Sequence, residues 1–190
     1  FPTRERHGEI WARGISHGPD EDFEKISDLL VGALSLARDS VQIVTPYFLP
    51  PATLMQVLGV TAMRGVRVDI FIPAENNVRL VQWATMGELW QLLDKGCNVY
   101  LVPPPFDHTK LMIVDDLWSL IGSTNWDPRS LRLNFEFNVE CYSRELAQQL
   151  QALIDEKRKS ARKLHISDLT NRSNATKLRD GGARLFGPYL

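Results

Sequence analysis

A length of 190 residues is enough to bury the core of one domain, and no apolar run reaches the ~20 residues that a membrane-spanning helix needs. With 22 Lys and Arg against 23 Asp and Glu, the net charge is −1, which argues against a general nucleic-acid binder but leaves room for a local basic groove. Cys97 and Cys141 lie in apolar, strand-like runs, which favours buried free thiols in a reducing compartment over a disulfide. No signal peptide is visible and the first residue is Phe1, so we expect a piece of a longer protein.

Apolar residues recur along the chain with helical and strand spacing in alternation. The first helix is predicted at residues 22–38, with Asp20 as its candidate N-cap and Glu21 and Asp22 in its first turn. Further helices are predicted at residues 52–64, 78–95 and 145–159. Strands are predicted at residues 41–45, 66–72, 97–102, 111–114, 118–121 and 135–142. The alternation predicts an α/β sandwich with a mixed, mostly parallel sheet flanked by helices, to which a hairpin at 111–121 adds an antiparallel pair.

The C-terminal end of the chain differs from the rest because most of it is polar. We expect residues 1–164 to form the folded domain and residues 165–190 to form an extended tail. Within this tail, Leu185, Phe186 and residues 188–190 are apolar, so we expect them to dock on the domain.

The most specific motif spans residues 108–125. It has the pattern His-x-Lys, four residues, Asp, six residues, Gly-Ser-x-Asn, and its defined positions are His108, Lys110, Asp115, Gly122, Ser123 and Asn125. These residue types suit attack on a phosphodiester: an imidazole acts as nucleophile or acid, a lysine meets a phosphate oxygen, and a hydroxyl and an amide donate neutral hydrogen bonds. The bland alternative is a core histidine and a surface lysine on an ordinary strand.

Strand parity predicts that the polar groups of the motif converge. His108 and Lys110 are two residues apart, as are Ser123 and Asn125, so each pair projects from one face of a strand. Glu136 lies 28 residues after His108, and we expect its carboxylate to hold a ring nitrogen of the histidine. An exposed, all-polar strand face is the competing interpretation of Glu136.

The motif resembles the HKD signature of the phospholipase D superfamily, whose members cut or exchange phosphodiesters from lipids to nucleic acids. The resemblance implies a phospholipase D-like fold, a structural role for Asp115 and Gly122 apart from the chemistry, and no need for a metal or other cofactor. A complete site in that family takes two such motifs, and this sequence has no second His-x-Lys. It therefore implies a partner: an N-terminal half of the same polypeptide carrying the first motif, or a second subunit.

Other segments resemble bacterial cardiolipin synthases in the half that carries the second motif. The segment from Thr45 to Phe48 reads Thr-Pro-Tyr-Phe, as in those enzymes, and makes Tyr47 a candidate substrate-binding residue, with a packed aromatic as the alternative. The run from His17 to Asp20 resembles their Ser-Gly-Pro-Asp, with His17 in place of Ser.

Two further positions around the motif are left with alternatives. Arg129 either meets a phosphate or pairs with Asp127. Asp107 stands where related enzymes more often have an apolar residue, which either perturbs the site or marks a subfamily.

A basic stretch ends the predicted helix at 145–159. Cations there suit the helix dipole, and a solvated face is the default interpretation. Contact with anionic lipid is the sharper alternative. The residues of this stretch are Lys157, Arg158, Lys159, Arg162 and Lys163.

The resemblance implies a phosphatidyltransferase that makes cardiolipin from phosphatidylglycerol through a phosphohistidine intermediate. A phospholipase D hydrolase and a homodimeric phosphodiesterase or nuclease are the alternatives. We expect an anionic phospholipid substrate, a membrane surface as partner and no nucleic acid. The parent enzyme is expected at the bacterial inner membrane, peripheral or anchored through an N-terminal region, whereas this piece alone is expected to be soluble and inactive.

Overall fold

The computed structural model describes residues 8–20 and 24–187. Its strands are β1 Trp11–His17, β2 Ser40–Val44, β3 Arg67–Pro73, β4 Asn98–Val102, β5 Leu111–Val114, β6 Trp118–Gly122, β7 Glu136–Tyr142 and β8 Arg162–Leu164. Its helices are α1 Lys25–Leu36, α2 Ala52–Met63, α3 Arg79–Glu88, α4 Trp90–Asp94, α5 Pro128–Arg132, α6 Arg144–Ser160, α7 Ile166–Thr170 and α8 Asn174–Arg184. Within these ranges, none of the helices has the length and hydropathy required to cross a bilayer.

The described strands form one sheet in the order β1-β7-β6-β5-β2-β3-β4-β8. β2, β3 and β4 pair in parallel, and the five other neighbouring pairs are antiparallel. The α/β sandwich with a mixed sheet is therefore confirmed, but the expectation of mostly parallel pairing is wrong. The reason is that β5, β6 and β7 follow one another without the long helical crossover that parallel pairing requires.

Helices cover the two faces of the sheet unequally. On one face, α1, α2 and α4 bury their apolar residues against the sheet, as Leu30, Leu58 and Leu92 illustrate. On the other face, α6 packs Ala147 and Ile154 over the middle strands. Each layer stabilises the folded sheet by burying apolar surface, at about 25 cal/mol per Å² removed from water.

Two predicted helices have different bounds in the structure. The helix expected at 22–38 begins at Lys25, so Asp20 is not its N-cap, and the predicted first-turn residues Glu21 and Asp22 lie outside the described residues. The helix expected at 78–95 is divided at Leu89 into α3 and α4.

The segment expected to be an extended tail is helical in the structure. α7 and α8 occupy most of it, and α8 packs on α3, with Ala183 buried against Ala84 and Leu49. Leu185 and Phe186 are exposed, so the tail docks through α8 and not through these two residues. Residues 188–190, also expected to dock, lie outside the described residues.

Both cysteines are buried free thiols, as predicted. Burial raises the pKa of the Cys97 thiol to about 12, which makes it an unreactive core residue.

Candidate active site

The motif begins in the loop before β5. His108 and Lys110 precede the strand that starts at Leu111, so they lie next to a strand and not within it. The expectation that both residues belong to a strand is therefore wrong. His108 is exposed and Lys110 is half-buried. The β5–β6 hairpin that follows turns at Asp115 and Asp116, which both adopt positive φ (51° and 50°), a backbone conformation that Asp tolerates.

The side chains of His108 and Lys110 are in direct contact. Nζ of Lys110 lies 2.9 Å from Nδ1 of His108, 3.3 Å from Nε2 and 3.0 Å from the histidine carbonyl oxygen. A charged lysine only donates, so the ring nitrogen that meets Nζ accepts, and the imidazole is neutral in this contact. Desolvation lowers the pKa of His108, Lys110 lowers it further and Asp107 opposes both. The pair thus places a neutral imidazole beside an ammonium ion.

Glu136, at the start of β7, acts electrostatically on Lys110. Burial lowers the pKa of Lys110, and the carboxylates of Glu136, Asp107 and Asp127 oppose that shift, Glu136 most strongly. Oε1 of Glu136 accepts a hydrogen bond from Nδ2 of Asn134 at 3.1 Å. The expected hydrogen bond from a ring nitrogen of His108 to Glu136 is not among the contacts of the described residues.

Ser123 and Asn125 belong to the loop after β6 and differ in environment. The exposed hydroxyl of Ser123 donates to the carbonyl oxygen of Phe137 at 3.3 Å and accepts from its N–H at 3.0 Å. Asn125 is buried, and its Nδ2 donates to Oγ of Ser130 at 3.0 Å while its Oδ1 is buried without a hydrogen-bond partner among the described residues. Neither side chain bonds to His108 or Lys110 in this arrangement.

Gly122 and Asp115 fix the hairpin that carries the motif. A Cβ on Gly122 would lie 2.6 Å from the carbonyl oxygen of Phe137 and from Cα of Asn138, so only glycine fits there. Asp115 accepts hydrogen bonds from the backbone N–H groups of Arg38, Asp39 and Ser40 at 2.8–2.9 Å. These contacts agree with the structural role expected for Asp115 and place it away from His108.

Aromatic rings line the open side of His108. The rings of Tyr47 and Phe106 lie 6.0 Å and 6.1 Å from the imidazole, centroid to centroid. Tyr47 is held by its hydroxyl, which donates to Oδ1 of Asn77 at 2.9 Å. Its backbone carbonyl accepts from the N–H of Trp126 at 3.2 Å, which joins this loop to the loop of Ser123 and Asn125. Tyr47 is therefore adjacent to the site, and Phe106 is a neighbour that no sequence signal indicated.

Asp107 and Arg129, the two positions with open alternatives, differ in their contacts. Asp107 accepts from the N–H and the hydroxyl of Thr109, at 3.2 Å and 2.8 Å, and forms an ion pair with Lys157 of α6. Arg129 is exposed and forms no ion pair with Asp127 within the described ranges, although its charge favours the ionised form of that carboxyl. Burial nevertheless raises the pKa of Asp127.

Most of the basic stretch is paired within the chain. Lys157 pairs with Asp107, Arg158 with the buried Asp69, Lys159 with Glu156 and Arg162 with Asp168. Arg158 also lies over the rings of Phe71 and Tyr100. These contacts weaken the interpretation of the stretch as a lipid-binding face. Elsewhere, His, Cys, Asp and Glu form no group of three suited to a metal ion in the part of the chain that the structure describes.

With this geometry established, comparison with known proteins gives a consistent result. Residues 30–158 match the family model described as the phospholipase D-like domain of cardiolipin synthase. The chain belongs to this family. Cardiolipin synthase 2 of Staphylococcus epidermidis and the major cardiolipin synthase of Bacillus subtilis are each 33% identical to it over 190 residues, which is 100% of this chain and 39% of theirs. The chain thus spans about two fifths of the length of these relatives.

Two solved structures share the fold at low sequence identity. The phospholipase D family member Nuc from Salmonella typhimurium superposes with a TM-score of 0.70 at 21% identity, covering 83% of this chain and 99% of Nuc. Phosphatidylserine synthase of Haemophilus influenzae Rd KW20 superposes with a TM-score of 0.77 at 19% identity, covering 95% of this chain and 48% of the synthase. The same fold accounts for nearly the whole of one protein and about half of the other.

Proposed function

We propose that this chain is the second catalytic half of a phosphatidyltransferase that makes cardiolipin from phosphatidylglycerol. The observation that carries the proposal is the contact between the accessible imidazole of His108 and the ammonium of Lys110 in a domain of the cardiolipin synthase family. An imidazole of lowered pKa gives up and takes up a proton readily near neutral pH. A lysine beside it offsets the charge that develops on phosphoryl oxygens.

The reaction needs two histidines on opposite sides of phosphorus. The histidine of the partner half attacks the phosphodiester of one phosphatidylglycerol, forming an N–P bond while the bond from phosphorus to the glycerol oxygen breaks. His108, protonated at this stage, gives its proton to the departing glycerol. It then takes a proton from the hydroxyl of a second phosphatidylglycerol, whose oxygen attacks the phosphohistidine. The products are cardiolipin and glycerol, and both histidines return to their starting states.

A partner half is also supported by an open apolar face beside the site. Phe135 and Phe137 are 75% and 56% exposed, although they flank Glu136, and Ile121 on the neighbouring strand is 37% exposed. By strand register, Ile121 lies opposite Leu111, on the face that α6 covers further along the sheet. Exposed apolar surface of this kind marks an interaction site. We propose that the N-terminal half packs here and brings its histidine to His108.

The cavity next to His108 is too small to enclose any part of the lipid. The cavity lined by Phe106 and Asp107 is about 10 Å³, room for about one water molecule. The phosphate is therefore proposed to bind on the open side of His108, between the two halves, with Tyr47 and Phe106 as an apolar wall.

Contact with the bacterial inner membrane is proposed for the longer protein and not for the basic stretch of this chain. Four of the five basic residues at the end of α6 and beyond are paired within the chain, which leaves fewer free cations for anionic lipid.

The test uses the full-length protein that contains this chain and vesicles of phosphatidylglycerol. We expect cardiolipin and glycerol in equal amounts, and loss of both products in the His108→Ala and Lys110→Ala variants. Lys159→Met is the matched control, because Lys159 is exposed and its one ion pair within the described residues is with Glu156. Phosphatidic acid and glycerol as the sole products would instead assign a hydrolase.

The homodimeric alternative is tested with this chain alone. We expect no turnover of phosphatidylglycerol or of single-stranded DNA, because one histidine is present where the reaction takes two. Robust cleavage of DNA by a symmetric dimer of the chain would contradict the lipid proposal.

A further inference from the structure

His17, the last residue of β1, is a buried imidazole beside the candidate active site. It is 3% exposed, and its partner across the β1–β7 pair is Glu136. The mechanism above makes no use of it. Burying an imidazole is unfavourable unless its polar atoms find partners, so its contacts indicate what it does there.

The contacts of His17 lead into the Gly-Ser-Thr-Asn part of the motif. Nε2 of His17 lies 2.9 Å from Oγ1 of Thr124. The same oxygen accepts from Nδ2 of Asn138 at 2.7 Å, and Oδ1 of Asn138 accepts from the N–H of Thr124 at 3.4 Å. Nδ1 of His17 is buried and has no hydrogen-bond partner among the described residues. The ring therefore joins the end of β1 to the loop that carries Ser123 and Asn125.

The same ring lies in the field of Glu136. Burial lowers the pKa of His17, Glu136 raises it in opposition, and Lys25 of α1 lowers it. Glu136 is also the carboxylate that acts most strongly on Lys110. One carboxylate is thus shared between the catalytic lysine and a buried histidine, and a proton gained by His17 would draw Glu136 toward it and away from Lys110.

We propose that His17 is a positioning residue for the phosphodiester reaction: it anchors Thr124, and in its neutral form it leaves Glu136 directed at Lys110. The proposal rests on the proposed chemistry at His108 but not on the identity of the lipid. It also gives a physical role to a position where the cardiolipin synthase pattern has serine, which is too short to reach Thr124 as the imidazole does.

The experiment compares two amides in the full-length protein. His17→Gln places its amide near the position of Nε2 and keeps a bond to Thr124, whereas His17→Asn places it near Nδ1 and loses that bond. At neutral pH, we expect the Gln variant to retain kcat. We expect the Asn variant to lose roughly 10–100-fold in kcat with little change in KM, which is the typical effect of misplacing a catalytic group. Circular dichroism and thermal unfolding establish that both variants fold.

The pH profile separates positioning from mere support of the fold. In the wild type, protonation of His17 and protonation of the attacking histidine of the partner half both reduce kcat on the acid limb. Gln cannot take up a proton, so His17→Gln should lower the slope of log kcat against pH there by about one. An acid limb of unchanged slope, together with equal kcat for the Gln and Asn variants, would overturn the proposal.

Thr124 provides a second route should His17→Asn fail to fold. Thr124→Ser keeps the hydroxyl and should keep kcat, whereas Thr124→Val removes it and should reproduce the loss expected for His17→Asn. Wild-type kcat in Thr124→Val would overturn the anchoring role. All variants are assayed on phosphatidylglycerol and on bis(p-nitrophenyl) phosphate. If the wild type cleaves only the second compound, the cardiolipin proposal fails, and the role of His17 is still decided by the variants.

Discussion

Lys157 of α6 forms an ion pair with Asp107, the residue directly before His108. Asp107 also holds Thr109, the residue directly after the histidine, through two hydrogen bonds. Although burial opposes it, these contacts lower the pKa of Asp107 and keep its carboxylate charged. Asp107 thus ties the loop that carries His108 to a helix on one face of the sheet.

The first prediction follows from the charge of Asp107. Its carboxylate raises the pKa of His108 against the effects of desolvation and Lys110. In Asp107→Asn that contribution is lost, so the pKa of His108 should fall further. The alkaline limb of the kcat profile should then move to lower pH, because the proposed mechanism uses His108 as the acid. In Lys157→Met the carboxylate is no longer neutralised, and the limb should move to higher pH.

These two shifts of opposite sign are measured from the pH dependence of kcat at low and high salt. Both residues are partly exposed, so the shifts should shrink as salt screens the charges. Lys159→Met on the same helix is the control and should leave the limb in place. Movement of both limbs in the same direction would show that the loop is displaced and that charge is not the cause.

The second prediction concerns stability at Asp115. Burial raises the pKa of Asp115, but the three backbone N–H groups of Arg38, Asp39 and Ser40 outweigh it, and the net shift is downward. The ionised carboxylate therefore stabilises the fold above the pKa of the unfolded chain. That contribution is lost as the pH falls through the lower pKa of the folded state.

Asp115→Asn should thus lower the free energy of unfolding by about 2 kcal/mol at neutral pH, measured by urea-induced unfolding. The difference from wild type should decrease from ~pH 4 downward, where the unfolded-state carboxyl is protonated. Asp116→Asn is the control, since Asp116 is exposed, shares the turn and has a positive φ that Asn also tolerates. Equal losses for the two variants would remove the special role of Asp115.

The third prediction pairs two glycines. A Cβ on Gly122 would meet backbone atoms of Phe137 and Asn138 at 2.6 Å, and backbone cannot move aside as a flexible side chain can. Gly122→Ala should cost about 1–3 kcal/mol, as overpacking does, and should displace Ser123. Gly32→Ala, within α1, has nothing within 4 Å of the added Cβ and should gain about 0.5–1 kcal/mol from helix propensity.

Thermal unfolding of the two glycine variants gives the test, with opposite shifts of Tm expected. The kcat of the full-length Gly122→Ala protein should fall as well, because the loop carrying Ser123 begins at that residue. A stable Gly122→Ala protein with wild-type kcat would mean that β7 can yield at this position.

The central helices and strands could be predicted from the sequence because their apolar spacing is local. β1 could not, since its polar, glycine-containing run is a strand only through pairing with β7, a partner more than one hundred residues away. Gly14 illustrates this: a Cβ there would lie 2.7 Å from the ring of Phe137, so the glycine makes sense only once the pairing is known. α8 was missed because only a narrow stripe around Ala183 is apolar.

The candidate site also has features that the sequence predicts and features that depend on the fold. His108 and Lys110 are in contact, but they lie in the loop before β5, so the strand argument that predicted their proximity does not apply to them. Strand parity failed for Ser123 and Asn125, because β6 ends at Gly122 and the alternation of faces ends with it. The electrostatic effect of Glu136 on Lys110 depends on how β7 lies against the loop before β5, which is a property of the sheet and not of any local pattern.

The last prediction assigns the role of His108 in the full-length protein. If it is the acid and base, His108→Ala should still allow the histidine of the partner half to attack phosphorus. Departure of an alkoxide should be slowed ~10²–10⁴-fold, the usual contribution of a general acid. A phosphodiester with a p-nitrophenolate leaving group needs no proton, so the variant should form the phosphohistidine on that substrate and then stall before transfer to an alcohol. The phosphoenzyme is measured as an acid-labile label on the protein, with the partner-histidine variant, which should form none, as control. If His108→Ala forms no phosphoenzyme while the partner variant does, the roles are reversed and His108 is the nucleophile.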